Sequence, residues 1–143
     1  MNYTSLLLVD DDSDDLLLFN EALSEIKAQV SCDSATDGVE ALKKLTSATS
    51  SPHLIFLDLN MPIMHGFECL KRIKANKALQ KIPVVIFTTS SSPLDINTAR
   101  HLGASAYFCK PMRFNDLCEQ LKSILSGTFE LGSGFKIIEP ITK

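Results

Sequence analysis

The chain has 143 residues, 45 % of them hydrophobic and 22 % charged, with a net charge of −3. That is the size and mix of one soluble globular domain, and the mild acidity excludes a basic nucleic-acid footprint. No apolar run is long enough to span a membrane, and no basic segment followed by a long apolar one marks a secretory leader.

The elements are taken in chain order. Residues 5–9 form an apolar run of strand length that leads straight into Asp10, Asp11 and Asp12. Ser13 is placed to cap a helix. Asp14 and Asp15 stand in its first turn, where the helix dipole favours negative charge, so Asp12, Asp14 and Asp15 are read as cap, dipole and solvated residues. Leu16, Phe19, Leu23 and Ile26 then recur at helical spacing. Residues 30–35 make a weaker strand. Asp37 with Glu40 three positions on has the form of a capping box, and Val39, Leu42 and Leu45 continue as a helix. Residues 54–57 are a second apolar run, ending at Asp58. Phe67, Leu70 and Ile73 mark a helix after Gly66. Pro83 precedes the continuous run of residues 84–87, which reads as a strand covered on both faces. Ser92, Pro93 and Asp95 open a helix that Gly103 closes. Residues 104–109 read as a strand, and Phe114, Leu117, Leu121 and Ile124 give the last helix.

The remaining features are ordinary. Cys32, Cys69, Cys109 and Cys118 lack the spacing of a zinc or redox motif and are read as reduced thiols in a cytoplasmic protein. Lys71, Arg72, Lys74, Lys77 and Lys81 are read as a solvated helix face, and His53 and His101 as surface or packing residues.

Five strand–helix units predict a parallel sheet with helices on both faces and right-handed crossovers. In such sheets ligands bind beyond the carboxyl ends of the strands. The polar residues fall there. Asp10 and Asp11 follow the first strand, Asp58 the third, Thr88 the fourth and Lys110 the fifth. Convergent carboxylates form a site for a hard divalent cation, and magnesium, which binds through one or two carboxylates plus waters and phosphate oxygens, suits it. The cation and Lys110 would relieve the like-charge repulsion.

At this point the chain resembles the receiver domains of bacterial two-component response regulators. The resemblance is carried by LLLVDDD at 6–12, LIFLDLNMPIMHG at 54–66, IPVVIFTTS at 82–90 and GASAYFCKP at 103–111. It spans residues 4 to about 126. Through DLNMP and the FTTSSSPLDI segment it is nearest to the stand-alone receivers that partner phytochromes. The resemblance implies a flavodoxin-like five-stranded parallel sheet, order 2-1-3-4-5, with five helices on both faces. It implies Asp58 as phosphoacceptor, with Mg2+ held by Asp10, Asp11, Asp58 and the backbone carbonyl of Asn60. Thr88 would bond a phosphoryl oxygen, Lys110 would pair with the phosphate, and Thr88 and Tyr107 would form the switch. The Lys110–Pro111 peptide is expected to be cis. The implied partners are a sensor histidine kinase or phosphotransfer protein and a downstream protein. Neither nucleic acid nor membrane is expected to bind. A homodimer would use the face of the fourth helix, fifth strand and last helix.

Two positions depart from the family pattern. His65 replaces an acid before the glycine, and Thr89 replaces an alanine beside the switch threonine. Asn60 and Ser90, two residues after the acceptor and the threonine, stand where the family tunes self-dephosphorylation. Two other classes compete. A dehalogenase-type aspartyl-phosphate phosphatase would need an acid at position 60 and room for a cap domain. A phosphorylation-independent binding module would not need the complete residue set. Residues 1–126 are thus read as a receiver domain, and 127–143 as an extension with no separate output domain. Residues 129–131 and 135–137 flank Gly132-Ser133-Gly134 as the arms of a small hairpin, either frayed or docked on this domain or a partner.

Overall fold

The computed structural model describes residues 3–47, 49–127, 131–132 and 134–138. The strands are β1 (Ser5–Val9), β2 (Ser31–Ala35), β3 (Leu54–Leu57), β4 (Val84–Thr88), β5 (Ala106–Cys109) and β6 (Lys136–Ile138). The helices are α1 (Ser13–Glu25), α2 (Gly38–Ser47), α3 (Gly66–Ala75), α4 (Pro93–His101) and α5 (Phe114–Leu125). All strands are parallel, in the order β2-β1-β3-β4-β5-β6.

The two-residue period of the strands splits the core in two. Leu6, Leu8, Leu54, Phe56, Val85, Phe87 and Phe108 face α1 and α5. Leu7, Val9, Ile55, Leu57, Val84, Ile86 and Tyr107 face the helices α2 to α4. Both sets are apolar, which is why β3 and β4 read as continuous hydrophobic runs. On the first face Phe19 of α1 sits edge-on to Phe56 and Phe87, with centroids 5.0 and 5.6 Å away. This packing fixes α1 over the strands that carry the site.

Cap chemistry sets where the helices begin. The cap of α1 is Asp12 and not Ser13: its carboxylate accepts from the backbone N–H of Asp14 at 2.9 Å and of Asp15 at 3.3 Å. A carboxylate is the stronger acceptor for the helix's free amides, so the helix starts on it. At α2 the capping box closes one residue early. Asp37 accepts from Glu40 N, while Glu40 accepts from the amide and hydroxyl of Thr36.

The sixth strand departs from the expected five-stranded sheet and from the expected hairpin. Phe129 and Glu130 of the first arm lie outside the described residues. The second arm pairs with β5 in parallel register, Ala106 with Lys136 and Phe108 with Ile138. The chain leaves α5 at the end of the sheet where every strand starts, so a segment laid on the open edge of β5 must run parallel. Leu131 and Ile138 are buried with the α5 side chains. Since α1 and α5 cover the same face while β1→β2 and β5→β6 step in opposite directions, the β5–α5–β6 crossover has the opposite hand to those before it. That is the uncommon hand.

Candidate functional site

The sheet register brings four strand ends to one edge. Backbone hydrogen bonds extend the ladder one step past the strands: Asp10 N to Ala35 O at 3.0 Å, Asp58 N to Val9 O at 2.9 Å and Lys110 N to Thr88 O at 2.7 Å. The side chains that follow the strands are therefore aimed from a rigid base. Gly66 closes the loop after β3 against this base. A Cβ there would stand 2.1 Å from the Asp58 carbonyl oxygen, so only glycine fits.

Asp10, Asp11 and Asp58 each offer a carboxylate oxygen, and the three oxygens lie within 4.8 Å of one another. Asp10 and Asp58 are buried, Asp11 exposed. One oxygen of Asp10 accepts from Asp12 N at 3.0 Å and the other from Lys110 Nζ at 2.7 Å. Burial pushes the Asp10 carboxyl up to about 6, against the pull of the Lys110 hydrogen bond. Oδ1 of Asp58 accepts from Leu59 N at 2.8 Å, while Oδ2 stands 3.6 Å from Lys110 Nζ, beyond a hydrogen bond. Burial alone would lower the pKa of Lys110. The hydrogen bonds it donates to Asp10 and Asp15 and the charges of Asp10 and Asp58 prevail and hold it well above the ordinary lysine range. The donor set is all oxygen, three carboxylates with open approach on the Asp11 side, and it fits a hard divalent cation such as Mg2+.

Beyond its place in the first turn of α1, Asp15 has a further contact in the structure. Its carboxylate takes a hydrogen bond from Lys110 Nζ at 2.8 Å. The signal in the sequence is its position three residues into α1. Helical side chains lean back toward the N-terminus, which here is where β5 delivers Lys110.

Thr88 is fully buried at the end of β4, and Ser90 N approaches its Oγ1 at 3.5 Å. Tyr107 on β5 is buried on the α3–α4 side, with its hydroxyl donating to Ser90 O at 2.8 Å. The ring thus occupies the inward position. The Ser90 hydroxyl donates to Asp95 in the first turn of α4 at 2.7 Å, so one residue joins Tyr107 to that helix. Asn60 and Thr89 are exposed at the rim. His65 caps α3, its Nδ1 accepting from Phe67 N at 3.1 Å, which explains how an imidazole stands in for an acid there. The cis peptide expected at Lys110–Pro111 is not found: that bond is trans, the form X–Pro bonds prefer by about 0.5–1 kcal/mol.

The profile of the response regulator receiver domain family matches residues 6–122. Response regulator Rcp1 of Synechocystis is 33 % identical over 126 residues, covering 85 % of this chain and 86 % of that protein. The phosphorylated cyanobacterial phytochrome response regulator RcpA superposes with a TM-score of 0.80 at 30 % identity, over 89 % of this chain and 96 % of that one. The Mn2+-bound form of Rcp1 superposes with a TM-score of 0.75 at 31 % identity, over 91 % of this chain and 96 % of that one. Among the described residues no helix is long and apolar enough to cross a membrane. A flavodoxin-like sheet, acids and one lysine gathered at its carboxyl edge, and a profile spanning the folded body agree: the chain belongs to the response regulator receiver domain family.

Proposed function

We propose that Asp58 accepts a phosphoryl group from a phosphohistidine of a sensor histidine kinase or phosphotransfer protein, and that the chain then switches a protein-binding surface. One observation carries this reading. Among the described residues, Asp58 is the buried acid that keeps an oxygen without a hydrogen bond, while Asp10, Asp11 and Lys110 surround it.

The chemistry follows from that arrangement. Asp10, Asp11, Asp58 and the carbonyl of Asn60 would hold a Mg2+, which would supply charge neutralisation on the phosphoryl oxygens. Oδ2 of Asp58 forms the new bond to phosphorus as the bond to the histidine nitrogen breaks, giving an aspartyl phosphate. The Leu59 amide on Oδ1 fixes the carboxylate plane for this attack. Lys110 lends an N–H to a phosphoryl oxygen and Thr88 its hydroxyl. In a loose transition state, positioning and charge neutralisation are most of what a protein supplies. Water entering past Asn60 and Ser90 slowly hydrolyses the aspartyl phosphate to the Asp58 carboxylate and inorganic phosphate, so the protein is a phosphoacceptor and not a turnover enzyme.

The switch uses Thr88, Ser90 and Tyr107. When Thr88 turns to the phosphoryl group, the loop bearing Ser90 follows, and with it the bonds to Tyr107 and to Asp95 of α4. The phosphoryl group thereby selects one of two arrangements of the α4–β5–α5 surface. A downstream protein reads that surface, and pairing with a second copy would use it too, with β6 laid over the edge of β5 between α4 and α5. Residues 1–126 form the receiver unit and 127–143 an extension. Cys32, Cys69, Cys109 and Cys118 form no disulfide, which supports a reducing, cytoplasmic setting.

The test is intact-protein mass spectrometry after incubation with acetyl phosphate, with Mg2+, with EDTA, and on Asp58→Asn. One phosphoryl adduct that needs the cation and is lost in the variant supports the reading. A folded wild-type protein that takes no adduct from acetyl phosphate or from any of a panel of histidine kinases contradicts it and leaves a phosphorylation-independent binding module.

A further inference from the structure

We propose that Asp15 is a positioning residue that holds the Lys110 ammonium short of Asp58 and so keeps the phosphoacceptor carboxylate free of a direct hydrogen bond from it. The inference rests on the reading of Asp58 as phosphoacceptor.

A lysine ammonium beside three carboxylates should settle into direct contact with those it can reach. Lys110 makes two short contacts, 2.7 Å to Asp10 and 2.8 Å to Asp15, and stops 3.6 Å from Asp58. One short partner, Asp15, is on α1, and the other, Asp10, follows β1. A third attraction adds to these: the ammonium stands 5.4 Å from the centroid of the Phe87 ring, on the face packed by α1. Asp10 is tethered in turn by the Asp12 amide. These three contacts therefore compete with the pull of Asp58. Among the described residues no other Lys or Arg forms an ion pair with Asp10, Asp15 or Asp58. With two of its three N–H bonds spent, Lys110 keeps one for a group arriving at Asp58.

Asp15 differs from its neighbours in this respect. Asp12 is used as the helix cap, and Asp14 and Asp15 both donate their amides to it; of the two, Asp15 is the one whose carboxylate takes a bond from Lys110. The Asp15 side chain is about 30 % exposed, and that of Lys110 10 %. A change at Asp15 should therefore leave the fold intact and release the ammonium toward Asp58.

The experiment compares wild type, Asp15→Asn and Asp15→Glu. The first readout is the 1H–15N signal of the Lys110 ammonium in the metal-free protein, assigned by its loss in Lys110→Arg. The second is the rate of adduct formation from acetyl phosphate at saturating Mg2+. In Asp15→Asn the signal should shift and the rate fall roughly two- to five-fold, the weight of a partly exposed ion pair. Asp15→Glu should restore both in part. The same thermal midpoint in all three separates positioning from a structural role. Asp15→Asn with wild-type signal, or with a rate equal to or above wild type, overturns the proposal. If wild type itself takes no adduct, the reading of Asp58 fails first, and the two failures are distinguishable.

Discussion

Two edges of the same sheet are built on opposite principles. At the carboxyl edge, buried Asp10 and Asp58 face Asp11 across a few ångströms, with one ammonium among them. At the lateral edge, β6 adds three residues to β5 through main-chain hydrogen bonds and the burial of Ile138. The first edge is held against its own charge and is relieved by binding a cation. The second is held by burial and has nothing to relieve. The difference teaches where to expect a response: ligand should stabilise the first edge, while substitution should only weaken the second.

The largest expected effect sharpens the first half of that contrast. Gly66→Ala drives a methyl into the Asp58 carbonyl, 2.1 Å away. Thermal unfolding should show a loss of about 3 kcal/mol, and phosphoryl acceptance should fall with it. At the lateral edge, Ile138→Ala should cost about 2 kcal/mol, as a buried apolar truncation does. Hydrogen exchange at residues 136–138 should show protection in the wild type. A free exchange rate there would break the comparison by removing β6 from the body. Next comes the cation. Mg2+ at ten times its dissociation constant should stabilise wild type by about 1.4 kcal/mol, and the gain should largely vanish in Asp11→Ala while persisting in Ile138→Ala. The smallest effect concerns Ile63, a β-branched residue at φ 70°, 80 % exposed in the loop after β3. Ile63→Asn should raise stability by about 0.5–1 kcal/mol, since asparagine tolerates the left-handed region better. A differential scanning measurement reads all four.

The carboxyl edge was legible in the sequence because alternation forces it. Each of Asp10, Asp58, Thr88 and Lys110 follows or ends an apolar run of strand length, and parallel strands end together. The motifs around those residues carried the family. What the pattern did not carry depended on three-dimensional direction. Asp15 looks like any acid in a first helical turn until Lys110 arrives from a strand 95 residues later. The cap on Asp12 instead of Ser13 is a competition between two good acceptors one position apart. The segment at 136–138 is too short to show a period, and its crossover has the uncommon hand, so local reasoning favoured a hairpin where the free edge of β5 took the strand.

The central claim is that Asp58 carries the phosphoryl group. The most direct measurement is borohydride reduction of the protein after incubation with acetyl phosphate and Mg2+, followed by peptide sequencing across residues 6–15 and 54–66. An acyl phosphate is reduced to homoserine, and the account predicts homoserine at position 58 alone, with none in a control treated with EDTA. Homoserine at Asp10 or Asp11 with intact Asp58, or phosphate retained on a serine or threonine, would contradict it.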